Sequence, residues 1–258
     1  MEQLELLRED LAQCDEILLN TLLMRNRIVE QIMAYKEANN IPILQPQREA
    51  RIEKWLSDSI AGKKHQKEIK EVYDTILRCS KQIQARKIFD YNIVLIGFMG
   101  AGKTTISSFL STLFAMEIVE MDEIIAKREG MSISDIFETY GEEYFRDAET
   151  NLLIEMQSKK NVVISCGGGV PLRERNVAEM KKNGKVVLLT AKPETILERV
   201  KDDHSRPLIE NNKNVEFIGE LMEKRREKYT AAADIVIVTD GKSTLEICNE
   251  LVDQLLKD

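Results

Sequence analysis

From Leu4 to Asn39 the chain carries neither glycine nor proline, and its apolar residues keep helical spacing. Leu4, Leu7, Leu11, Cys14 and Leu18 step by three and four, and Ile28 and Ile32 continue the stripe. A single helix over this stretch is roughly 50 Å long at 1.5 Å per residue. No small helical domain can cover a rod of that length by itself. Pro42 and Pro46 break it. A second helix is expected from about Arg48 to Ile60, closed by Gly62, and a third from about Gln66 to Arg86. Three helices, one of them overlong, predict an all-α domain over residues 1–88 that a second copy of the chain completes.

Past Asp90 the periodicity changes. Short β-rich runs (Asn92–Ile96, Glu117–Glu120, Asn161–Ser165, Lys185–Thr190 and Asp234–Val238) alternate with amphipathic helical segments. That order predicts an α/β domain with a parallel sheet over residues 89–258. The junction from Ala85 to Tyr91 is charged and lacks Gly and Ser, so it is expected to extend the third helix. Gly97 to Thr104 then fits G-x-x-x-x-G-K-[ST], between the apolar run Ile93–Ile96 and a helical segment from Thr105 to Phe114. Backbone N–H groups at Gly100, Ala101, Gly102 and Thr105 can close around phosphates at a helix N-terminus. Lys103 would reach the β/γ-phosphates, and the Thr104 hydroxyl would take a place on Mg²⁺. The implied ligand is a nucleoside triphosphate.

Composition narrows the remaining classes. Residues 1–90 carry 15 Lys+Arg against 15 Asp+Glu, so the formal charge of -7 falls on the rest, 22 against 29. No basic stripe with interleaved aromatics is present, which disfavours nucleic acid. No signal peptide and no membrane span are read, and a cytoplasmic location is expected. Cys14, Cys79, Cys166 and Cys248 lack metal-ligand or disulfide-framework spacing and read as reduced, mostly structural thiols. An acidic second half must gather anionic ligands with local clusters of cations.

Such clusters follow the phosphate loop. Glu120-Met121-Asp122 places two carboxylates at the end of the second strand. Arg146 comes after Gly141-Glu142, with Glu149 three residues on. Cys166-Gly167-Gly168-Gly169 follows the third strand, a charged stretch holds Arg206-Pro207-Leu208, and Arg225 and Tyr229 share a helix. Singly these have bland readings: Asp122 as a first-turn acid of a helix, the glycines as a turn, Arg225 as a solvated charge. Their joint order resembles shikimate kinase over about residues 91–258. The resemblance implies that Asp122 contacts the shikimate 3-hydroxyl and acts as base. It assigns Arg146 and Arg225 to the carboxylate and Gly168 and Gly169 to the ring. It places Arg206 in a lid over the transferring phosphate and Arg199 on the nucleotide side. Glu120 stands where the family usually has Asp linked to Mg²⁺ through water, one methylene longer. Another small hydroxy compound, such as gluconate, is the alternative substrate, but two arginines favour a compact carboxylate.

On the first helix Arg25 keeps the three-four spacing of Leu18 and Ile28. Lys36 shares its azimuth, and Arg8 falls on a different face. Ser80 and Gln84 lie one turn apart on the third helix. Periodicity alone also allows a polar seam that fixes helix register. The wider pattern, with Arg48-Glu49 and Pro42-Ile43, resembles the all-helical chorismate mutases over about residues 1–88. The resemblance implies that Arg25 and Arg48 bind the two carboxylates of chorismate. Ser80 is also in the site, and Lys36 and Gln84 face the ether oxygen. The resemblance also implies an intertwined homodimer in which Arg8 comes from the partner copy. Gln45 stands where many members have Asp on the ring hydroxyl, which implies weaker binding.

The whole chain is thus expected to be a bifunctional enzyme of aromatic amino-acid biosynthesis, taking chorismate to prephenate and phosphorylating shikimate with ATP. The alternative makes the helical domain a non-catalytic dimerisation module or one that senses chorismate or prephenate. Gln84 does not titrate, so chorismate rearrangement near neutral pH should not require a protonated carboxyl there. Gln84→Glu should move the pH optimum to acidic values, and an unchanged pH–rate profile would remove Gln84 from that role.

Overall fold

The computed structural model describes residues 2–39, 41–43, 45–201 and 212–257. It divides into two compact units, 1–87 and 88–258.

In the first unit, 37 residues form one helix, α1 (Glu2–Ala38). Pro46 opens α2 (Pro46–Ile60), where its fixed φ suits the first turn, and α3 spans Gln66–Ile88. The chain buries only Val29, Met33 and Lys36 of α1. Leu4, Leu7, Leu11, Leu18 and Ile28, the stripe read from the sequence, are 47–61% exposed. The face covered within the chain is therefore a different one, a row through half-buried Arg25 to Val29, Met33 and Lys36. Length explains the difference: at 1.5 Å per residue, α2 and α3 are too short to cover α1 from end to end.

The second unit is built on five parallel strands in the order β2-β3-β1-β4-β5. They are β1 (Asn92–Gly97), β2 (Glu117–Glu120), β3 (Val162–Ser165), β4 (Gly184–Thr190) and β5 (Ile235–Val238). Every residue of β1 and β3 is buried, because helices cover both faces of the sheet. The described helices are α4 (Lys103–Phe114), α5 (Met121–Glu129), α6 (Ile133–Met156), α7 (Glu174–Lys182), α8 (Pro193–Val200), α9 (Val215–Ala232) and α10 (Thr244–Leu255). Ser132 with Asp135 and Ser243 with Glu246 form capping boxes that start α6 and α10. Buried Asn92 accepts from Val162 N and donates to the Lys159 carbonyl, tying β1 to the start of β3. No described helix is long and apolar enough to cross a membrane.

Two features position the site. The phosphate loop leaves β1, the central strand, at the carboxyl edge of the sheet, where open α/β folds collect ligands. Gly141 breaks α6 with φ 84° and ψ 166°, a conformation essentially reserved for glycine, so the segment carrying Arg146 starts in a new direction.

Gly97 carries the tightest backbone approach in this region. A Cβ there would lie 2.3 Å from the Leu189 carbonyl oxygen, at φ 149°. By contrast, nothing stands within 4 Å of a Cβ on Gly130, which has φ 68°. Gly97→Ala should cost about 2–3 kcal/mol in chemical denaturation, and Gly130→Ala about 1 kcal/mol. Equal losses in the two variants would show that the Leu189 contact carries no weight.

Candidate active sites

In the second unit the turn Cys166-Gly167-Gly168-Gly169, which follows β3, is the hub. A Cβ on Gly167 would lie 2.5 Å from Asp122 Oδ1 and 3.1 Å from Glu149 Oε1. On Gly168 it would lie 3.4 Å from an Arg225 Nη1 and 3.5 Å from the Tyr229 hydroxyl, with the Gly97 carbonyl at 4.0 Å. On Gly169 it would overlap the Arg146 guanidinium, at 2.0 Å from Nη1. Two carboxylates, two guanidiniums and the mouth of the phosphate loop thus converge on three residues without side chains.

The loop itself is built for backbone contact. Gly100 and Gly102 take φ values of 75° and 101°, and α4 begins at Lys103. Lys103 Nζ donates to the carbonyls of Gly97 (2.9 Å) and Phe98 (3.3 Å), which holds the ammonium inside the loop. Ala101 is buried, and Thr104 and Thr105 are exposed on the first turn. Arg199 Nη1 donates to the Gly100 carbonyl (3.1 Å) and to Thr239 Oγ1 (3.0 Å), fixing α8 to the loop. Glu120 ends β2 and Asp122 sits in the first turn of α5. Thr104 Oγ1 lies 3.4 Å from Glu120 Oε2. A hydroxyl and a carboxylate beside a phosphate loop form the sparse oxygen set that magnesium uses, with substrate phosphates and water completing the shell. Among the described residues no group of three or more His, Cys, Asp or Glu could hold a metal.

Both arginines are held in advance. Arg146 donates to Glu142 Oε1 (2.8 Å) and Glu149 Oε2 (2.9 Å), and its guanidinium stands over the rings of Phe137 and Phe145. Arg225 stands over the Phe98 ring, 5.6 Å from its centroid, and beside Tyr229, whose hydroxyl donates to the Gly168 carbonyl at 2.6 Å. Glu149 is fully buried, and its Oε1 has no hydrogen-bond partner. Burial pushes its carboxyl up to about 7, Arg146 pulls the other way, and the negative charge of Asp122 adds to the rise. The sequence reading passed over a role for Glu149. Its i,i+3 spacing from Arg146 was the available signal. Arg206 lies outside the described residues.

In the first unit a cavity of about 430 Å³ is lined by Arg25, Gln45, Arg48 and Arg51, with Trp55 and Tyr73 as an aromatic wall. The Trp55 and Tyr73 rings stand 5.6 Å apart. Neither aromatic stood out in the sequence, because one lies on α2 and the other on α3, without a shared periodicity. Arg25 donates to Ser80 Oγ, joining α1 to α3. Lys36 is buried and donates to the Ile43 carbonyl at 2.8 Å. Burial lowers its pKa, the charge of Arg48 lowers it further, and Glu49 opposes both. Gln84 is half-buried one turn beyond Ser80 on α3. Arg8 stands apart: it is exposed, pairs with Glu5 at 2.7 Å, and lies roughly 25 Å from Arg25 along the same helix.

The second unit therefore has the fold and site of a P-loop phosphotransferase whose acceptor side is lined by arginines. The family described as Shikimate kinase matches residues 99–256, and that described as Chorismate mutase type II matches residues 7–85. The chain belongs to the shikimate kinase family and carries a chorismate mutase domain ahead of it. It is a bifunctional enzyme, an isomerase and an ATP-dependent phosphotransferase in one chain. A shikimate kinase of Persephonella marina is 43% identical over 164 residues, 64% of this chain and 98% of that protein. One of Dehalococcoides mccartyi is 42% identical over 166 residues, 64% and 94% of the two chains. The solved shikimate kinase of Acinetobacter baumannii in complex with shikimate aligns at a TM-score of 0.61 and 33% identity, over 65% of this chain and 93% of that one.

Buried Glu149 sets a pH signature. Its pKa is raised above the unfolded value of 4.5, so the folded state holds the extra proton between pH 4.5 and 7. Folding stability therefore falls as pH rises through that window, by up to roughly 3 kcal/mol, and the full cost is present above pH 7. Glu149→Gln should flatten this part of the stability–pH curve, measured by urea unfolding. An unaltered slope would place the titration elsewhere.

Proposed function

We propose that the second unit phosphorylates the 3-hydroxyl of shikimate from ATP. The observation that carries this is the convergence of Asp122, Arg146 and Arg225 on Gly167, Gly168 and Gly169, beside the carbonyl end of Gly97. Arg146 and Arg225 receive the shikimate carboxylate, and their planar forks suit bidentate binding. Gly168 and Gly169 let the ring approach the backbone. Asp122 takes the hydroxyl proton as the oxygen attacks the terminal phosphorus, and the bond to ADP breaks. Gly100, Ala101, Gly102, Thr105 and Lys103 hold the phosphates, with Arg199 on the nucleotide side and Arg206 assigned to the closing segment. Thr104 and Glu120 would hold Mg²⁺, which neutralises phosphate charge when bound. Phosphoryl transfer of this kind depends on positioning and charge neutralisation more than on covalent help.

The first unit, on this reading, takes chorismate to prephenate. Arg25 and Arg48 hold the two carboxylates, Ser80 and Gln45 complete the site, and Lys36 and Gln84 face the ether oxygen. The reaction forms no covalent enzyme intermediate and needs no cofactor. Holding the substrate in its compact diaxial form removes much of the entropic barrier. Donors fixed in advance meet the charge that develops on oxygen.

Arg8 cannot join Arg25 within one chain, because a rigid helix separates them. A second copy packed on the exposed stripe of α1 would supply it and cover Leu4, Leu7 and Leu11. The working unit is thus a homodimer through the helical domain, in the cytoplasm.

Arg25→Ala should reduce chorismate loss by more than about 100-fold and leave shikimate-dependent ADP release unchanged, and Lys103→Ala should do the reverse. Arg8→Ala and Arg25→Ala chains, each inactive as a mutase alone, should recover roughly a quarter of wild-type mutase activity once mixed and re-associated. That fraction follows because half of the dimers then carry one intact site. A mixture as inactive as its parents would mean that each chain builds its own site. Tight chorismate binding without turnover in the wild type would make the helical unit a sensor instead.

A further inference from the structure

The buried face of α4 contains one hydroxyl that the proposed reaction leaves unused. Ile106, Ser107, Leu110 and Phe114 are the buried residues of that helix, and Ser107 is 0% exposed among them. Its Oγ donates to Glu120 Oε1 at 2.5 Å, in the range of a charge-assisted O–H···O⁻ bond. The Thr104 carbonyl, 3.0 Å from the same oxygen, is the weaker rival acceptor. The other carboxylate oxygen, Oε2, then lies 3.4 Å from Thr104 Oγ1. Ser107 is one turn beyond Thr104 on the same helix, so a single rigid element presents both hydroxyls to the two oxygens of Glu120.

This matters because Glu120 ends its strand with one more methylene than an aspartate. An extra rotatable bond lets the carboxylate swing away from Thr104, and fixing it costs rotamer entropy. We infer that Ser107 is a positioning residue for Glu120, holding one carboxylate oxygen so that the other stands with the Thr104 hydroxyl to receive a divalent cation. Ser107 is fully buried and bonded to the Glu120 carboxylate. It acts through Glu120, much as outer partners orient the ligands of a metal. The inference rests on the kinase reading of the second unit.

Mn²⁺ binding to the full-length protein with ADP, followed by electron paramagnetic resonance, tests it without turnover. Ser107→Ala should weaken Mn²⁺ about tenfold, in keeping with the loss of one hydrogen bond to a charged group. Metal-free ADP binding by calorimetry should stay within about twofold, because the phosphate loop is untouched. Ser107→Cys, a weak donor of similar size, should fall between, and it serves as the test if the alanine variant does not fold. Glu120→Gln should weaken Mn²⁺ at least as much, and adding Ser107→Ala to it should change little, since the two act as a unit. Unchanged Mn²⁺ affinity in both Ser107 variants, or parallel losses of Mn²⁺ and metal-free ADP, would overturn the inference. If the wild-type protein binds ADP neither with nor without metal, the kinase reading itself fails and takes the inference with it.

Discussion

At Gly97 the backbone of β1 runs so close to the Leu189 carbonyl of β4 that even a methyl group would sit 2.3 Å from it. That approach lets the chain leave the central strand between its neighbours and turn at once into α4. Gly168, at the end of β3 on the other side, then stands near the Gly97 carbonyl, so the acceptor turn and the phosphate loop share one edge. Arg199 closes the third side by donating to the Gly100 carbonyl from α8. A larger residue at position 97 would push the loop outward and separate phosphate donors from acceptor groups. Transfer between two bound molecules tolerates little of that, because misplacement by about 1 Å can cost 100-fold in rate.

Much of this was legible in the chain. Five strands appear within a residue of where β-rich runs predict them. The strands β1 and β3, buried throughout, demand nearly continuous apolar segments, and the outer strands β2 and β5 keep a β-branched pair or run. The expected all-α plus α/β architecture is the one observed, and α3 does extend into the junction, to Ile88. Reading α1 was harder. Its stripe from Leu4 to Ile28 has true helical period but is exposed within the chain, because periodicity reports an apolar face and not what covers it. Ser107 and Glu149 were less visible still. Each is a polar residue on a buried face, and its meaning lies in a partner far along the sequence or in an oxygen left without one. Spacing could show that Glu149 lies one turn from Arg146, but not that its other oxygen is buried unpaired or that Ser107 meets Glu120.

Both units solve one problem, the capture of small anions, in different electrostatic settings. The first 90 residues carry equal numbers of cations and anions, and Lys36 is buried close enough to Arg48 for the two charges to repel. Two cations brought together in a partly buried place repel, and an anion bound between them would relieve that repulsion. The second unit is acidic, and there Arg146 is held by carboxylates and Arg225 is stacked on an aromatic ring. Arg146 has two glutamates and two rings around it. The first arrangement favours affinity through relieved repulsion. The second favours geometry at the expense of free positive charge.

Glu149 shows how far that second strategy goes. A fully buried carboxylate whose pKa reaches about 7 opposes folding at neutral pH by up to roughly 3 kcal/mol, and a neutral side chain of similar shape would avoid this. Its one hydrogen-bonded oxygen restrains Arg146, while the other stays unpaired toward Gly167. A free arginine loses up to about 2 kcal/mol of rotamer freedom when it clamps a ligand. Meeting that cost during folding leaves less to lose on binding. The buried acid thus gives up conformational stability and leaves Arg146 held in place before a ligand arrives. Stability lost at a functional site in return for geometry is a familiar balance, and here Glu149 shares the hold on Arg146 with Glu142 and the rings of Phe137 and Phe145.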